Sequence, residues 1–306
     1  MARRSSRGRH LNGILLLDKA AGASSNFVLQ RAKTMFFARK AGHTGSLDPF
    51  ATGLLPICFG DATKMSAYLL DSDKKYLAEC RLGVATTSAD IEGELKCEMP
   101  VPTLSDRLIA KVFQDFIGEN DQLPPMHSAL KQNGQPLYKW ARKGIEVARA
   151  TRKINVFTLK LIQYNAPSII FEVHCSKGTY VRTLAEDIAA ALGTCGHVTM
   201  LRRLKVGFFD LKHSFTLDEL AETLAVSGVD ELESKLLPID SALEGWPSVD
   251  LDEDAAFYVK QGRAVTVPCA PTDGLVKLYQ NGEMFIGIGK ILDDGRVAPK
   301  RLLSSV

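Results

Sequence analysis

Asp48 stands in the run His43-Thr44-Gly45-Ser46-Leu47-Asp48-Pro49-Phe50-Ala51-Thr52-Gly53-Leu54-Leu55-Pro56, a single carboxylate in a turn braced by glycine and proline. Pro49 disfavours the α region for the residue before it, so Asp48 is expected to be extended, with its side chain projecting from a stiff backbone. Gly45 and Gly53 permit a positive φ or the close approach of another group. A loop specified this tightly is built to hold something, although an Asp-Pro dipeptide alone is most often only a turn.

The elements that must position this loop can be read from hydrophobic periodicity. Ile14-Leu15-Leu16-Leu17 is short enough for a buried strand and runs into a turn at Lys19 to Gly22. A helix is expected from Ser24 or Ser25, with Val28, Ala32 and Met35 on one face. Tyr76, Ala78, Cys80 and Leu82 alternate with Leu77, Glu79 and Arg81, a strand pattern. Ile169, Phe171, Val173 and Cys175 form one side of another strand. Ser176 to Thr179 then leads into a helix striped by Val181, Leu184, Ala185 and Ile188, with Gly193 as its stop. Thr216 and Glu219 have capping-box spacing ahead of an amphipathic helix. Gly245-Trp246-Pro247-Ser248 reads as a boundary. Beyond it, Asn281-Gly282 and Asp294-Gly295 are hairpin turns on either side of Met284 to Ile291.

The chain has 306 residues, enough for one large domain and a small one, and its composition is that of a globular protein. No apolar run approaches the ~20 residues of a membrane span, and the basic start lacks a signal peptide's apolar stretch, so a cytoplasmic protein is expected. The six cysteines are widely spaced and expected to be reduced, mostly buried thiols; no spacing argues for a metal. Gly60 to Lys64 is too short for a nucleotide-binding phosphate loop. The net charge of +3 conceals a polarity. Residues 1–48 hold nine Lys/Arg against Asp18 and Asp48, residues 131–153 hold seven against Glu146, and residues 210–256 hold thirteen Asp/Glu against Lys212 and Lys235. Tyr138 and Trp140 interleave the second basic cluster. This asymmetry suggests a polyanion-binding face and a solvated back.

Several segments, taken in order, resemble the TruB family of bacterial tRNA pseudouridine-55 synthases. They are Gly13 to Lys19, the Asp48 loop, Gly60-Asp61-Ala62-Thr63-Lys64, the Tyr76 strand, Thr87 to Gly93, Pro124 to Lys131, Leu137 to Gly144, Cys175 to Leu184, and His197 to Leu204. Two positions depart from the usual pattern: Ala20 stands where proline is common, and Ser46 where threonine is. The resemblance implies an α+β protein with the pseudouridine synthase fold. A large mixed, mainly antiparallel sheet would occupy residues 1–245, with an RNA-gripping insertion at about 124–153, and a small PUA-like β domain would occupy 250–306.

The implied reaction converts a uridine in the T loop of tRNA from an N-glycoside to a C-glycoside, so the base must detach, rotate and rejoin. Asp48 would stabilise or trap the sugar cation, as glycosidase carboxylates do. Arg182 would keep that carboxylate ionised and oriented. Tyr76 would stack on the base and move a carbon-bound proton. Residue type alone leaves Arg182 as a surface arginine, and Tyr76 and Leu201 as core. By resemblance, Tyr180 and Leu201 line the uracil pocket, and His43 fills the gap left by a flipped nucleotide. Lys64, Lys177, Arg202 and Arg203 are expected at phosphates. Neither a cofactor nor a metal is expected, nor a guide RNA or an obligatory protein partner. The rival reading is a non-catalytic tRNA-binding or tRNA-folding protein of the same fold.

Overall fold

The computed structural model describes residues 8–132 and 134–304; Arg3, Arg4 and Arg7 of the basic start lie outside the described residues. The apolar run at the start forms β1 (Gly13–Lys19), followed by α1 (Ser25–Met35), β2 (Ala41–His43) and β3 (Thr52–Phe59). Next come α2 (Ser66–Leu70), β4 (Lys74–Leu82), the hairpin of β5 (Val84–Thr86) and β6 (Leu95–Glu98), α3 (Asp106–Asp115) and β7 (Gly118–Gln122). The expected insertion holds the short hairpin of β8 (Lys131–Gln132) and β9 (Gln135–Pro136), and α4 (Leu137–Ala141). Then follow β10 (Arg152–Asn165), β11 (Ser168–Cys175), α5 (Val181–Ala191), β12 (Gly196–Val206) and β13 (Phe209–Asp210).

These strands build one nine-stranded sheet in the order β1-β3-β12-β4-β11-β10-β7, with β2 beside β3 and β13 beside β12. Every pairing is antiparallel except β3 with β12, which run parallel through only Arg202↔Thr52 and Arg203↔Gly53. Two antiparallel halves therefore meet at a two-residue parallel seam. Gly53 makes that seam possible: its φ is +101°, and a β-carbon there would run into the backbone of Arg203.

Both faces of β1 and β3 are covered. Leu15, Leu17, Leu55 and Ile57 pack on α1 and α6 (Leu217–Glu233), and Ile14, Leu16, Leu54 and Cys58 pack on the other side with Leu243 and Ile288. This accounts for an unbroken apolar run where a half-buried strand would alternate. On the other half of the sheet, Ala78, Cys80, Ile169, Phe171 and Val173 pack against α3 and α5, with Ile109, Phe113, Leu184 and Ile188. The Ser24 hydroxyl accepts from Phe27 N and caps α1, and Thr216 and Glu219 form a capping box on α6, both at the expected positions.

After Trp246 the chain forms a four-stranded sheet of β14 (Ser248–Leu251), β15 (Leu275–Gln280), β16 (Met284–Ile291) and β17 (Val297–Leu302), with α7 (Glu253–Lys260) against it. Asn281-Gly282 turns β15 into β16, both residues with positive φ. The expected burial of most thiols is only half met. Cys58, Cys80 and Cys175 lie on the core faces of their strands, whereas Cys97 and Cys269 are exposed and Cys195 is intermediate, all three in a marginal strand or a loop.

Candidate active site

The loop from Thr44 to Ala51 crosses from β2 to β3 over the seam. Leu47 N donates to Ser25 Oγ at 2.7 Å, and Gly22 N to Pro49 O at 2.9 Å. The main clasp is Lys19, fully buried at the end of β1. Its Nζ donates to Ala51 O at 2.6 Å and to Pro49 O and Ala20 O at 3.0 Å each. Burial lowers the Lys19 pKa from 10.5 to about 8, with Asp48 pulling the other way. A lysine counted from sequence in a basic cluster is thus the brace of the carboxylate loop.

Asp48 meets Arg182, the second residue of α5, with Nε 3.0 Å from Oδ2. Arg182 is 4 % exposed and fully engaged: its Nη1 donates to Asp90 Oδ2 at 3.0 Å and Ser88 O at 2.8 Å, and its Nη2 to His127 O at 2.8 Å. Asp90, 2 % exposed, is held in turn by Ser88 Oγ and by Glu92 N at 3.0 Å. One buried guanidinium therefore serves two carboxylates. The pKa of Asp48 is raised, not lowered as the Arg182 partnership alone suggested. Burial and the charge of Asp90 outweigh the pull of Arg182 and Lys19. The Thr87 to Gly93 turn was recognisable in the sequence, but nothing local marks Asp90 as a partner of a residue 92 positions away.

Asp48 opens onto a cavity of about 360 Å³, lined among others by Tyr76, Ser128, Tyr180, Arg182 and Leu201. The volume suits a nucleobase with its ribose. Tyr76 comes from β4, Leu201 from β12, and Tyr180 from the residue capping α5, whose N–H donates to Gln122 Oε1 at 2.8 Å. The structure thus brings together Asp48, Tyr76, Tyr180, Arg182 and Leu201. His43 is not on the cavity wall. It ends β2, half-buried, opposite Ile57, and burial together with Arg203 lowers its pKa.

The four residues expected at phosphates part company. Arg203 is 2 % exposed and bonded to backbone carbonyls, and it lies on the wall of the Asp48 cavity rather than on the outer surface. Arg202, its neighbour on β12, points to the other face of the sheet, paired with Asp18 at 2.6 Å. There it lines an open groove of about 500 Å³ whose cations Lys75 and Lys205 are matched by Glu172 and Asp210. Lys64 is turned to the chain's end, donating to Leu302 O at 2.9 Å and Ser304 Oγ at 2.5 Å. Lys177 stands between Ser176 and Gly178 of the cavity wall, itself exposed and 2.9 Å from Asp71. In the insertion, Lys139, Arg142 and Lys143 crowd one open patch, with Arg142 over the Tyr138 ring and Lys143 near that of Trp140.

Three family models match end to end: TruB family pseudouridylate synthase, N-terminal domain, over residues 33–181; tRNA pseudouridylate synthase B C-terminal domain over 182–244; and pseudouridine synthase II TruB, C-terminal, over 247–303. The chain belongs to the TruB family. Proteins named tRNA pseudouridine synthase B from Nitrosococcus oceani and Yersinia pestis are 51 % and 48 % identical to it, covering 97 % and 99 % of this chain and 96 % and 95 % of their own. Among solved structures, a chain of an H/ACA RNP bound to a substrate RNA containing 2′-deoxyuridine aligns over 99 % of this chain and 91 % of its own, with a TM-score of 0.74 and 22 % identity. That likeness, at so low an identity, speaks to the TruB fold alone. No helix among the described residues is long and apolar enough to cross a membrane.

Proposed function

We propose that this protein is a tRNA pseudouridine synthase that isomerises uridine 55 of the T loop, acting on a nucleotide flipped into the Asp48 cavity. The observation that carries the reading is the pairing of Asp48 with a buried Arg182, itself held by Asp90, on the wall of a cavity floored by Tyr76. A carboxylate fixed this way, 37 % exposed toward the cavity, suits a sugar carbon that gains positive character as the glycosidic bond breaks. Leu201 and the Tyr76 and Tyr180 rings supply apolar and stacking surface for a base removed from its neighbours, a removal that costs a few kcal/mol. Arg182 stays put while the charge on Asp48 is drawn toward the sugar, because three of its five contacts are to backbone carbonyls or to the second carboxylate.

Lys177 beside the cavity wall and the Lys139, Arg142 and Lys143 patch on the insertion would grip phosphates of the T stem, fixing position without reading sequence. The reaction moves one proton and one bond within a single nucleotide. The near-full-length likeness to proteins named tRNA pseudouridine synthase B supports a stand-alone enzyme, active without guide RNA or added protein.

The test is Asp48→Asn on a T-stem-loop transcript. Pseudouridine formation should vanish while RNA binding stays within a few-fold of the parent. Near-normal turnover would reject Asp48 as the reacting carboxylate. Binding without turnover by the unsubstituted protein would point to a tRNA-binding role instead.

A further inference from the structure

Arg203 heads the large, fully buried side chains among the described residues. Its Nε donates to Leu54 O of β3 at 2.7 Å, and its Nη2 to Gly45 O, three residues before Asp48, at 3.1 Å. Across the β4–β12 pairing it stands directly opposite Tyr76, on the same face of the sheet, and both side chains line the Asp48 cavity, where the guanidinium is the cation set against the phenol. Buried cations are normally matched by a carboxylate. Here the acidic group set against the guanidinium is the phenol. One side chain therefore joins three things: the strand after the catalytic loop, the loop itself, and the hydroxyl at the floor of the cavity.

We propose that Arg203 is a positioning residue that fixes the Tyr76 hydroxyl relative to the Asp48 loop and stabilises its anion, so that the Tyr76 oxygen takes the proton from C5 of the rejoined base. The inference rests on the reading of the protein as a pseudouridine synthase. Once the base has rejoined ribose through C5, that carbon carries both the new C–C bond and its original hydrogen. The C5–H bond breaks, and its electron pair forms the C5–C6 double bond and pushes the C6–N1 π pair onto N1. N1 takes a proton from water, and the Tyr76 oxygen, having accepted the C5 proton, returns it to water. The net change is one proton moved from C5 to N1. Burial pushes the phenol's pKa up, as do Cys175 of β11 and Asp48 of the loop, and Arg203 is the cation that pulls it back. A guanidinium satisfied by two carbonyls has no freedom to follow an incoming phosphate. It is a fixed charge aimed at one oxygen.

The proposal is tested by single-turnover rates on T-stem-loop transcripts carrying either uridine or 5-deuterouridine at the target, using the unsubstituted protein, Arg203→Met, Arg203→Lys and Tyr76→Phe. Arg203→Met should slow the reaction about 100-fold, the low end of what a positioned base contributes. It should also raise the deuterium isotope effect above the parent's, as proton removal becomes the slow step. Tyr76→Phe should do the same, and combining the two should cost little more than either alone. Arg203→Lys, which keeps a charge with a different reach, should recover part of the rate. It also gives the same readout if Arg203→Met fails to fold. A rate loss with an unchanged isotope effect in a folded variant would reduce Arg203 to a packing residue and overturn the proposal, as would an unchanged rate. Absence of product from the unsubstituted protein would instead fail the enzymatic reading itself.

Discussion

Replacing Lys19 with methionine separates the stability of this protein from its chemistry. The substitution removes three charged hydrogen bonds, to Ala51 O, Pro49 O and Ala20 O, and leaves an apolar chain of similar length in a fully buried slot. The Ala51 carbonyl, bonded in the interior, loses about 1–3 kcal/mol when left unsatisfied, and the other two, within reach of water, about 1 kcal/mol each. Against this loss stands the burial that lowers the Lys19 pKa from 10.5 to about 8, a net cost to the ammonium of about 1–3 kcal/mol at neutral pH once solvent screening is allowed for. The two partly cancel, so Lys19→Met should unfold in urea within about 2 kcal/mol of the parent. Turnover should not be spared. Pro49 and Ala51 flank the carboxylate, and a displacement of about 1 Å at a reacting group costs on the order of 100-fold in rate. Tritium release from a T-stem-loop transcript labelled at uridine C5 should therefore show kcat down about 100-fold, with KM little changed. The pH dependence has a definite sign. A lysine whose folded pKa lies below its unfolded value adds most stability above pH 10.5, and that contribution is lost as pH falls through about 8. The parent should accordingly gain on Lys19→Met as pH rises across that window. A kcat within a few-fold of the parent, or a stability gap that does not move between pH 8 and 10.5, would refute the reasoning.

Asp90→Asn should lower kcat about tenfold by freeing Arg182. It should also move the acid limb of the pH–rate profile downward, because the charge of Asp90 helps raise the pKa of Asp48; an unmoved acid limb would contradict this coupling. In the parent, that acid limb should fall above the ordinary aspartate value of about 3.9, activity being lost as pH drops through it. Replacing Lys139, Arg142 and Lys143 together with alanine should weaken RNA binding and flatten its log–log salt slope by roughly 2 to 3, measured by titration at several salt concentrations; an unaltered slope would remove α4 from the interface. Gly53→Ala should destabilise the protein by roughly 3 kcal/mol or more in urea unfolding, since a β-carbon at φ +101° meets the Arg203 backbone, and a neutral substitution would mean that the seam can part.

The parts of this molecule that were legible in advance are those governed by local rules. The alternation at Ile169, Phe171, Val173 and Cys175, the capping residues Ser24 and Thr216, and the Asn281-Gly282 turn each lie where their sequence pattern puts them, because period, cap chemistry and positive φ are properties of a few neighbouring residues. Recognition of the family supplied the convergence of Asp48, Tyr76, Tyr180, Arg182 and Leu201, which no local rule contains. What stayed hidden was which cations are inside. Lys19, Lys64, Arg202 and Arg203 look alike in a linear sequence. Their fates were decided by the parity of β12, by the parallel seam that brings Gly53 against Arg203, and by carbonyls contributed from distant loops. The raised pKa of Asp48 is hidden from the sequence for the same reason: its guanidinium is shared with an acid contributed by a remote turn.

The grip of Lys64 on the last strand has a mechanical consequence. That lysine extends from just after β3 and clasps the carbonyl of Leu302, while Ile288 plugs into the apolar layer beneath β1. The terminal lobe is thus clamped to the same strands that carry the reacting loop, and the pair works as a fixed caliper. Any ligand that touched both jaws would meet them at one set spacing, because neither can swing away from the other without breaking these contacts.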